Sequence, residues 1–227
     1  MDIQEIEIPR EVPIMTLGNT VLFPQAMMPL YIFEPRYREM LSKVLAEDRI
    51  FAIAALDEAE EYAEVLETPH KVASVGLVRA CKQNPDGTSN LILQGLARIE
   101  MDEIVSEEPY RTARIHQLIS EPGGSKQAVD SIHTGILNLL KIQRRLGADL
   151  PIEVIRFLDN IKDPENMLDL AIYTLCTSSK LKQTLLETRG IVPRYDRFRQ
   201  FLFAEIEQLK LDQKLKGGLD PDDIGSN

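Results

Sequence analysis

Residues 72–98 read VASVGLVRACKQNPDGTSNLILQGLAR, and they contain the strongest turn signal in the chain. Two largely apolar segments, 72–82 and 89–98, flank the sequence Asn84-Pro85-Asp86-Gly87. Proline presets φ in such a turn, and Asp-Gly allows the positive φ that a tight turn requires. The pattern therefore predicts an antiparallel β-hairpin whose second strand is buried on at least one face.

Short apolar segments elsewhere in the first 120 residues predict further strands, because turn residues such as Gly18-Asn19 separate them. One amphipathic helix is predicted over 35–47, since Pro35 suits a first helical position and apolar residues follow it at helical spacing. The acidic segment 57–67 is predicted as a loop that leads into an edge strand. The other predicted strands are 12–17, 21–23, 28–33, 50–56, 99–105 and 110–119.

The spacing of apolar residues becomes helical after the Pro- and Gly-containing segment 121–125. Residues spaced by threes and fours, such as Ile132, Ile136 and Leu139, predict helices that bury one face in a bundle. Asp163-Pro164 is a predicted N-cap followed by a proline at the first helical position. Further helices are predicted to begin at Pro151, Leu181 and near Pro193.

These patterns together predict an α+β protein with two domains. The first, 1–120, is a mostly antiparallel β-barrel or sandwich with one helix. The second, 121–216, is an α-helical bundle, and 217–227 is a flexible acidic tail.

The net charge of −10 is unevenly distributed: residues 1–119 hold 20 acidic and 11 basic side chains. Nucleic-acid binders need cations that displace counterions from phosphate, so nucleic acid is not expected as a partner. A solvated helix face is the favoured interpretation of the basic residues in the helical half, and a local basic binding face is the alternative. These residues are Lys180, Lys182, Arg189, Arg194, Arg197 and Arg199.

No segment approaches the roughly 20 apolar residues of a membrane helix. The acidic N-terminus also lacks the basic and apolar regions of a signal peptide. We therefore expect a cytoplasmic location and no membrane partner.

Sequence motifs for catalysis, cofactors and metals are missing from the chain. No lysine is followed by Ser or Thr, which excludes a P-loop, and there is no GxSxG elbow. The histidines His70, His116 and His133 are widely separated and predict neither a metal site nor a catalytic site. Cys81 and Cys176 are interpreted as buried, reduced thiols, with a disulfide or a nucleophilic thiol as the alternatives.

Several segments in the right order resemble the N-terminal domain of Lon proteases, over roughly residues 9 to 215. The segments resembling the opening of that domain are 13–17, 21–24 and 28–37. Those resembling its central hairpin are 75–79, 86–87 and 94–99, and those resembling its last helices are 182–187 and 197–207.

The resemblance implies a PUA-like β-domain followed by a helical bundle, a region that recognises substrate and helps assembly in Lon proteases. An ATPase domain and a Ser-Lys peptidase domain follow it there, whereas this chain stops after the long helix. We therefore expect a non-catalytic, cofactor-free module that binds unfolded or tagged polypeptide, with a separate protease as a further candidate partner. An RNA-binding module, by analogy with PUA domains, and a hydrolase with an unrecognised site are the alternatives. The oligomeric state is left open.

The resemblance also implies that apolar residues of the early hairpin and the following helix are exposed for binding, and methionines there suit varied apolar ligands. The opposing interpretation is that alternate residues of strand 28–33 face the core and that Phe23-Pro24 anchors a turn. The candidates are Phe23, Pro24, Met27, Met28, Pro29, Tyr31, Phe33 and Tyr37. A second candidate site is a groove between the predicted β-domain and the predicted bundle, near Arg36 and Arg98, where a structural ion pair or carbonyl clamp is the alternative.

Overall fold

The computed structural model describes residues 6–56 and 68–217, with side chains of the last helix to residue 215. The predicted loop 57–67 and the predicted tail beyond 217 lie outside the described residues. The helices and strands, in chain order, are β1 (Glu11–Leu17), β2 (Met27–Ile32), α1 (Pro35–Ala46), β3 (Ile50–Ala55), β4 (Val72–Gln83), β5 (Ser89–Ser106), β6 (Thr112–Gln117), α2 (Lys126–Arg145), α3 (Ile152–Asp159), α4 (Pro164–Leu175), α5 (Ser179–Glu187) and α6 (Ile191–Gly217).

The described residues form two compact units. We call the described parts of 1–120 and 172–189 the β-unit, and those of 121–171 and 190–227 the helical unit. The sequence placed α5 in the bundle, whereas the structure places it in the β-unit. The reason is a set of side-chain contacts: Gln183 Nε2 donates to the Val72 carbonyl at 2.9 Å, and Ser179 Oγ donates to Asn19 Oδ1 at 3.1 Å. That 1–120 and 121–216 are separate domains stays a prediction.

The β-unit contains a six-stranded mixed sheet in the order β2-β5-β4-β3-β1-β6. β1 and β3 are parallel, and the other pairs are antiparallel. An additional β5–β6 pairing closes β1, β3, β4, β5 and β6 into a barrel, while β2 pairs with β5 alone among the described strands. The predicted α+β class is confirmed, and the closure favours a barrel over a sandwich.

Strand β5 joins two segments that the sequence predicted as separate strands, 89–98 and 99–105. It is one strand of 18 residues. Register shifts interrupt its pairing with β4 and again its pairing with β6. Such bulges bend a strand, which lets β5 pair with β4 at one end and β6 at the other.

The barrel core consists of inward-facing side chains that alternate along the strands. β3 is buried at all six positions, as its uninterrupted apolar sequence predicted. The core cluster contains Val12, Ile14, Ile50, Ala52, Ala54, Ala73, Val75, Ala97, Ile99, Met101, Ala113 and Ile115. Helix α1 has Pro35 in its first turn, as predicted, and its Tyr37 hydroxyl donates to the Thr16 carbonyl at 3.3 Å.

The prediction of a strand over 21–23 was wrong, because these residues are buried without forming a strand. Their backbone groups bond to other partners. The Leu22 carbonyl accepts from Ser74 Oγ at 2.7 Å, and the Phe23 carbonyl accepts from the Ala26 amide in a turn. Gln25 in this turn has φ 65°, which ends any extended conformation.

The helical unit contains α2, α3, α6 and residues 164–171 of α4. The predicted buried face of α2 is confirmed at Ile132, Ile136 and Leu139. Asp163 caps α4 as predicted, since its Oδ1 accepts from the Asn166 amide at 2.8 Å. The prediction of a solvated basic face was wrong for Arg194, because this side chain is completely buried against acidic residues.

Within residues 6–56 and 68–217, no helix combines the length and the apolar character that crossing a bilayer requires.

Candidate functional site

Strand β2 divides its side chains between the core and the surface. Met28 and Ile32 are buried, whereas Met27 and Tyr31 are 49% and 54% exposed. Phe33, directly after the strand, is 58% exposed. Successive side chains of a strand point to opposite faces, so Met27 and Tyr31 of the strand and Phe33 directly after it are three large exposed apolar groups in alternating positions. We call Met27, Pro29, Tyr31 and Phe33 the β2 stripe; Pro29 is also exposed.

The two aromatic rings of the β2 stripe stack, with centroids 5.9 Å apart and an interplanar angle of 25°. Each ring restricts the other, so Tyr31 and Phe33 present a common apolar surface at small entropic cost on binding. Isolated exposed apolar residues are ordinary on protein surfaces, but contiguous ones mark interaction sites. The stacked pair is therefore the centre of the candidate site.

The backbone of β2 is also suited to an edge position. Pro29 has no N–H group and is tolerated in a sheet where no ladder bond is needed, which is at an edge. At one end of the strand, the Tyr173 hydroxyl donates to the Met27 carbonyl at 3.5 Å. Burial raises the pKa of the Tyr173 phenol, so this group stays protonated and remains a donor.

A shallow, mostly apolar pocket adjoins the β2 stripe. Pro29 and Tyr31 line it from β2, Cys81 from β4, and Leu91 and Ile92 from β5. An apolar side chain of a ligand that lies along β2 would find a place there. Cys81 is a half-buried free thiol, so only Cys176 fits the prediction of a buried one.

Four of the predicted apolar candidates do not belong to the accessible surface. Phe23, Pro24, Met28 and Tyr37 are all buried. Alternation along β2 places Met28 in the core, and burial of the turn before β2 encloses Phe23-Pro24 as the opposing interpretation expected. These four side chains therefore form no part of the exposed β2 surface.

The two predicted arginines make separate contacts. Arg36 is exposed, and its Nε donates to Glu34 Oε2 at 2.9 Å, while its guanidinium lies 4.6 Å from the centroid of the Tyr37 ring. Arg98 is 4% exposed, and its Nη1 donates to Ser120 Oγ at 3.3 Å. Buried in this way, Arg98 has the geometry of a structural arginine.

The histidines lie apart from one another, and each contacts a different acidic residue. His70 Nδ1 is 3.5 Å from Glu187 Oε1, His116 Nδ1 is 2.8 Å from Asp102 Oδ1, and His133 contacts Asp159. In the part of the chain that the structure describes, no three His, Cys, Asp or Glu side chains are arranged to hold a metal ion. The sequence reasoning missed a polar pocket beside α5, which no local motif marks because its residues come from distant segments.

Residues 11–202 match the sequence model of the ATP-dependent protease La (LON) substrate-binding domain. The chain belongs to this family. The Lon resemblance predicted from the sequence is thereby confirmed, and the matched region is the substrate-binding part of Lon proteases.

Full-length relatives of the Lon substrate-binding domain are similar over their own N-terminal regions. The Lon protease of Flavobacterium johnsoniae is 29% identical over 214 residues, covering 92% of this chain and 26% of the relative. That of Trichlorobacter lovleyi is 27% identical over 230 residues, covering 99% of this chain and 27% of the relative. The chain thus spans about a quarter of the length of the curated relatives it matches.

Solved Lon N-terminal domains share the fold. The N-terminal domain of Mycobacterium avium complex Lon protease has a TM-score of 0.63 at 16% identity, covering 87% of this chain and 98% of that one. The Lon N-terminal domain protein from Xanthomonas campestris has a TM-score of 0.58 at 16% identity, covering 83% and 96%. At this level of identity the likeness establishes the fold alone.

Proposed function

We propose that this chain is a non-catalytic polypeptide-recognition module that binds apolar segments of unfolded proteins at the β2 stripe. The observation that carries the proposal is the exposed, stacked pair Tyr31–Phe33 beside Met27 on an edge strand. Membership in the Lon substrate-binding domain family supports polypeptide as the ligand class.

The β2 stripe offers two kinds of interaction to an extended segment. Its aromatic and methionine side chains bury apolar surface, and methionine adapts its shape to different partners. The edge of β2 offers backbone groups to a strand that adds alongside it, and such bonds do not depend on the ligand's sequence. This combination suits a binder of many sequences.

The negative charge of the first 119 residues affects which polypeptide segments bind. The net charge of −9 in residues 1–119 attracts basic segments and repels acidic ones, mainly through the association rate. We propose that a separate protease receives the bound substrate; membership in the Lon substrate-binding domain family supports a protease as this partner. A cytoplasmic location stays a prediction.

The test of this proposal is fluorescence anisotropy of a labelled, permanently unfolded polypeptide titrated with the full chain. Met27→Asp and Tyr31→Asp are each expected to weaken binding at least about tenfold, because an apolar anchor contributes roughly 1.5–3 kcal/mol when buried. The matched control is Ile119→Asp, an equal change of charge at an apolar residue that is 69% exposed and outside the β2 stripe. It should bind like the unchanged protein.

Met28 must stay unchanged in this experiment. Its side chain is 5% exposed, so Met28→Asp would bury a carboxylate and unfold the β-unit rather than probe binding. Circular dichroism should show unchanged helicity and cooperative melting for Met27→Asp and Tyr31→Asp. If both variants fold and bind as well as the unchanged chain, the β2 stripe is not the site. No saturable binding by the unchanged chain would reject the proposed function itself.

An RNA oligonucleotide in place of the polypeptide tests the RNA-binding alternative. We expect no salt-dependent anisotropy change, because acidic residues outnumber basic ones in the first 119 residues. Proteins that contact several phosphates lose much of their affinity as salt rises from roughly 50 to 200 mM. RNA binding that weakens steeply over this range would favour the RNA alternative instead.

A further inference from the structure

A small pocket of about 190 Å³ lies beside α5, wholly within the β-unit. Its floor is apolar and comes from Val21, Ala55 and Leu56. Its wall is a row of polar side chains from α5. An apolar floor with a few polar groups that fix orientation is the usual composition of a ligand pocket.

The row on α5 consists of Lys180, Gln183 and Glu187. Their spacing of three and then four residues places them on one face of the helix, roughly 10 Å from end to end. The pocket therefore has a cation at one end, an amide in the middle and a carboxylate at the other end. A ligand that fits must carry an anion at the Lys180 end, a hydrogen-bonding group in the middle and a cation at the Glu187 end.

The amide of Gln183 is fixed in one orientation. Its Nε2 donates to the Val72 carbonyl at 2.9 Å and to Glu187 Oε1 at 2.8 Å, and both partners are acceptors. Gln183 is 4% exposed, and its Oε1 has no hydrogen-bond donor among the described residues. A buried acceptor without a donor is unfavourable, so a ligand N–H that reaches this oxygen relieves the deficit.

The two ends of the row differ in how they are held. Glu187 is oriented by Gln183 and by His70, whose Nδ1 lies 3.5 Å from Glu187 Oε1. Lys180 is exposed, and in the described ranges no carboxylate lies within ion-pair distance of its ammonium group. Lys180 also lies in the first turn of α5, where the helix dipole adds positive potential. The Lys180 end is thus ready for an anion.

We propose that this pocket binds the C-terminal end of a polypeptide, with the terminal carboxylate at Lys180 and a basic side chain two residues earlier at Glu187. Three extended residues span roughly 10 Å, which matches the row on α5. Main-chain N–H groups between the two ends supply the donor for Gln183 Oε1, and small apolar side chains fit the floor. The inference rests on the proposed function in taking polypeptide as the ligand, but it uses a different surface.

The experiment uses the full chain and two fluorescein-labelled decapeptides of Gly and Ser that end in Lys-Ala-Ala. One carries a free C-terminal carboxylate and the other a C-terminal amide. The two peptides share their sequence and label and differ only in the C-terminal group, so any binding at β2 contributes equally to both. The free acid is expected to bind at least about tenfold more tightly, because a charge-assisted contact to Lys180 is lost on amidation.

Three variants locate this preference. Lys180→Ala should abolish the difference between acid and amide, whereas Lys43→Ala, an exposed lysine of α1 outside the pocket, should preserve it. Glu187→Gln should weaken the peptide ending in Lys-Ala-Ala but not one ending in Ala-Ala-Ala. Equal binding of acid and amide, or an unchanged preference in Lys180→Ala, overturns the inference. Neither result bears on the proposal that polypeptide binds at the β2 stripe, since that proposal is tested separately through Met27 and Tyr31.

Discussion

Replacing Arg194 with methionine is expected to lower the free energy of unfolding of the helical unit by about 3–5 kcal/mol. Arg194 is completely buried, and its Nη1 lies 2.8 Å from Asp169 Oδ1 and 3.0 Å from Glu165 Oε1. Asp169 is 1% exposed, so removing the guanidinium leaves a carboxylate in the core without its counter-charge. Methionine is flexible and refills the space of the apolar arginine stem, which limits the contribution of a cavity.

The double variant Arg194→Met with Asp169→Leu separates the charge effect from packing. Removing both buried charges is expected to recover much of the lost stability, because apolar replacement of a buried ion pair is often nearly neutral. The measurement is urea unfolding followed by circular dichroism. Lys210→Met, which breaks a pair with Glu207 that is about half exposed, should cost less than about 1 kcal/mol. A loss that small in Arg194→Met as well would show that the buried pair does not stabilise the unit.

Local signals in the sequence predicted most elements because the physical cause of each is itself local. The turn 84–87 forms where Pro-Asp-Gly requires it, and Gly87 has φ 80°. Pro35 begins α1, and Asp163 caps α4 through its own side chain. Uninterrupted apolar sequence predicted that β3 is buried on both faces.

Other features depend on partners that are distant in sequence. Residues 21–23 look like a strand, but their backbone bonds to a side chain from β4 and to a local turn. The basic residues of the helical half look alike in sequence, yet Arg194 is buried and Arg199 is exposed in a pair with Asp196. Nothing in the pattern of basic residues distinguishes these two, because the difference comes from Asp169 on another helix.

The candidate site was partly predictable for the same reason. Alternation required that neighbours such as Met27 and Met28 point to opposite faces, but not which of them faces outward. The pairing of β2 with β5 sets that choice: Met27 is opposite Gln94 and Met28 is opposite Leu93, which is completely buried. The pocket beside α5 had no sequence signal, since its floor and its wall come from segments more than a hundred residues apart.

The orientation of the β2 stripe depends on a close approach between Gly95 of β5 and the turn that precedes β2. The Gly95 amide donates to the Ala26 carbonyl at 2.9 Å, and the Gly95 carbonyl accepts from the Gln25 amide at 2.9 Å. These two bonds clamp the turn to β5 directly before Met27. The outward position of Met27 therefore depends on a glycine in another strand.

Gly95→Ala is expected to lower the stability of the β-unit by about 3 kcal/mol, at the upper end of overpacking effects. A Cβ at this position would lie 2.9 Å from the Phe23 carbonyl carbon and 3.3 Å from the Pro24 Cα, and closer still to the Phe23 carbonyl oxygen. These atoms are backbone, so relief requires moving the turn and breaking its bonds to β5.

Gly18→Ala is the matched control, because its Cβ would meet only Leu56 Cδ1 at 3.9 Å. Urea unfolding should show a large loss in Gly95→Ala and a change within about 1 kcal/mol in Gly18→Ala. Equal stability of the two variants would mean that the turn before β2 is free to shift, and that β5 does not fix the direction in which Met27 points.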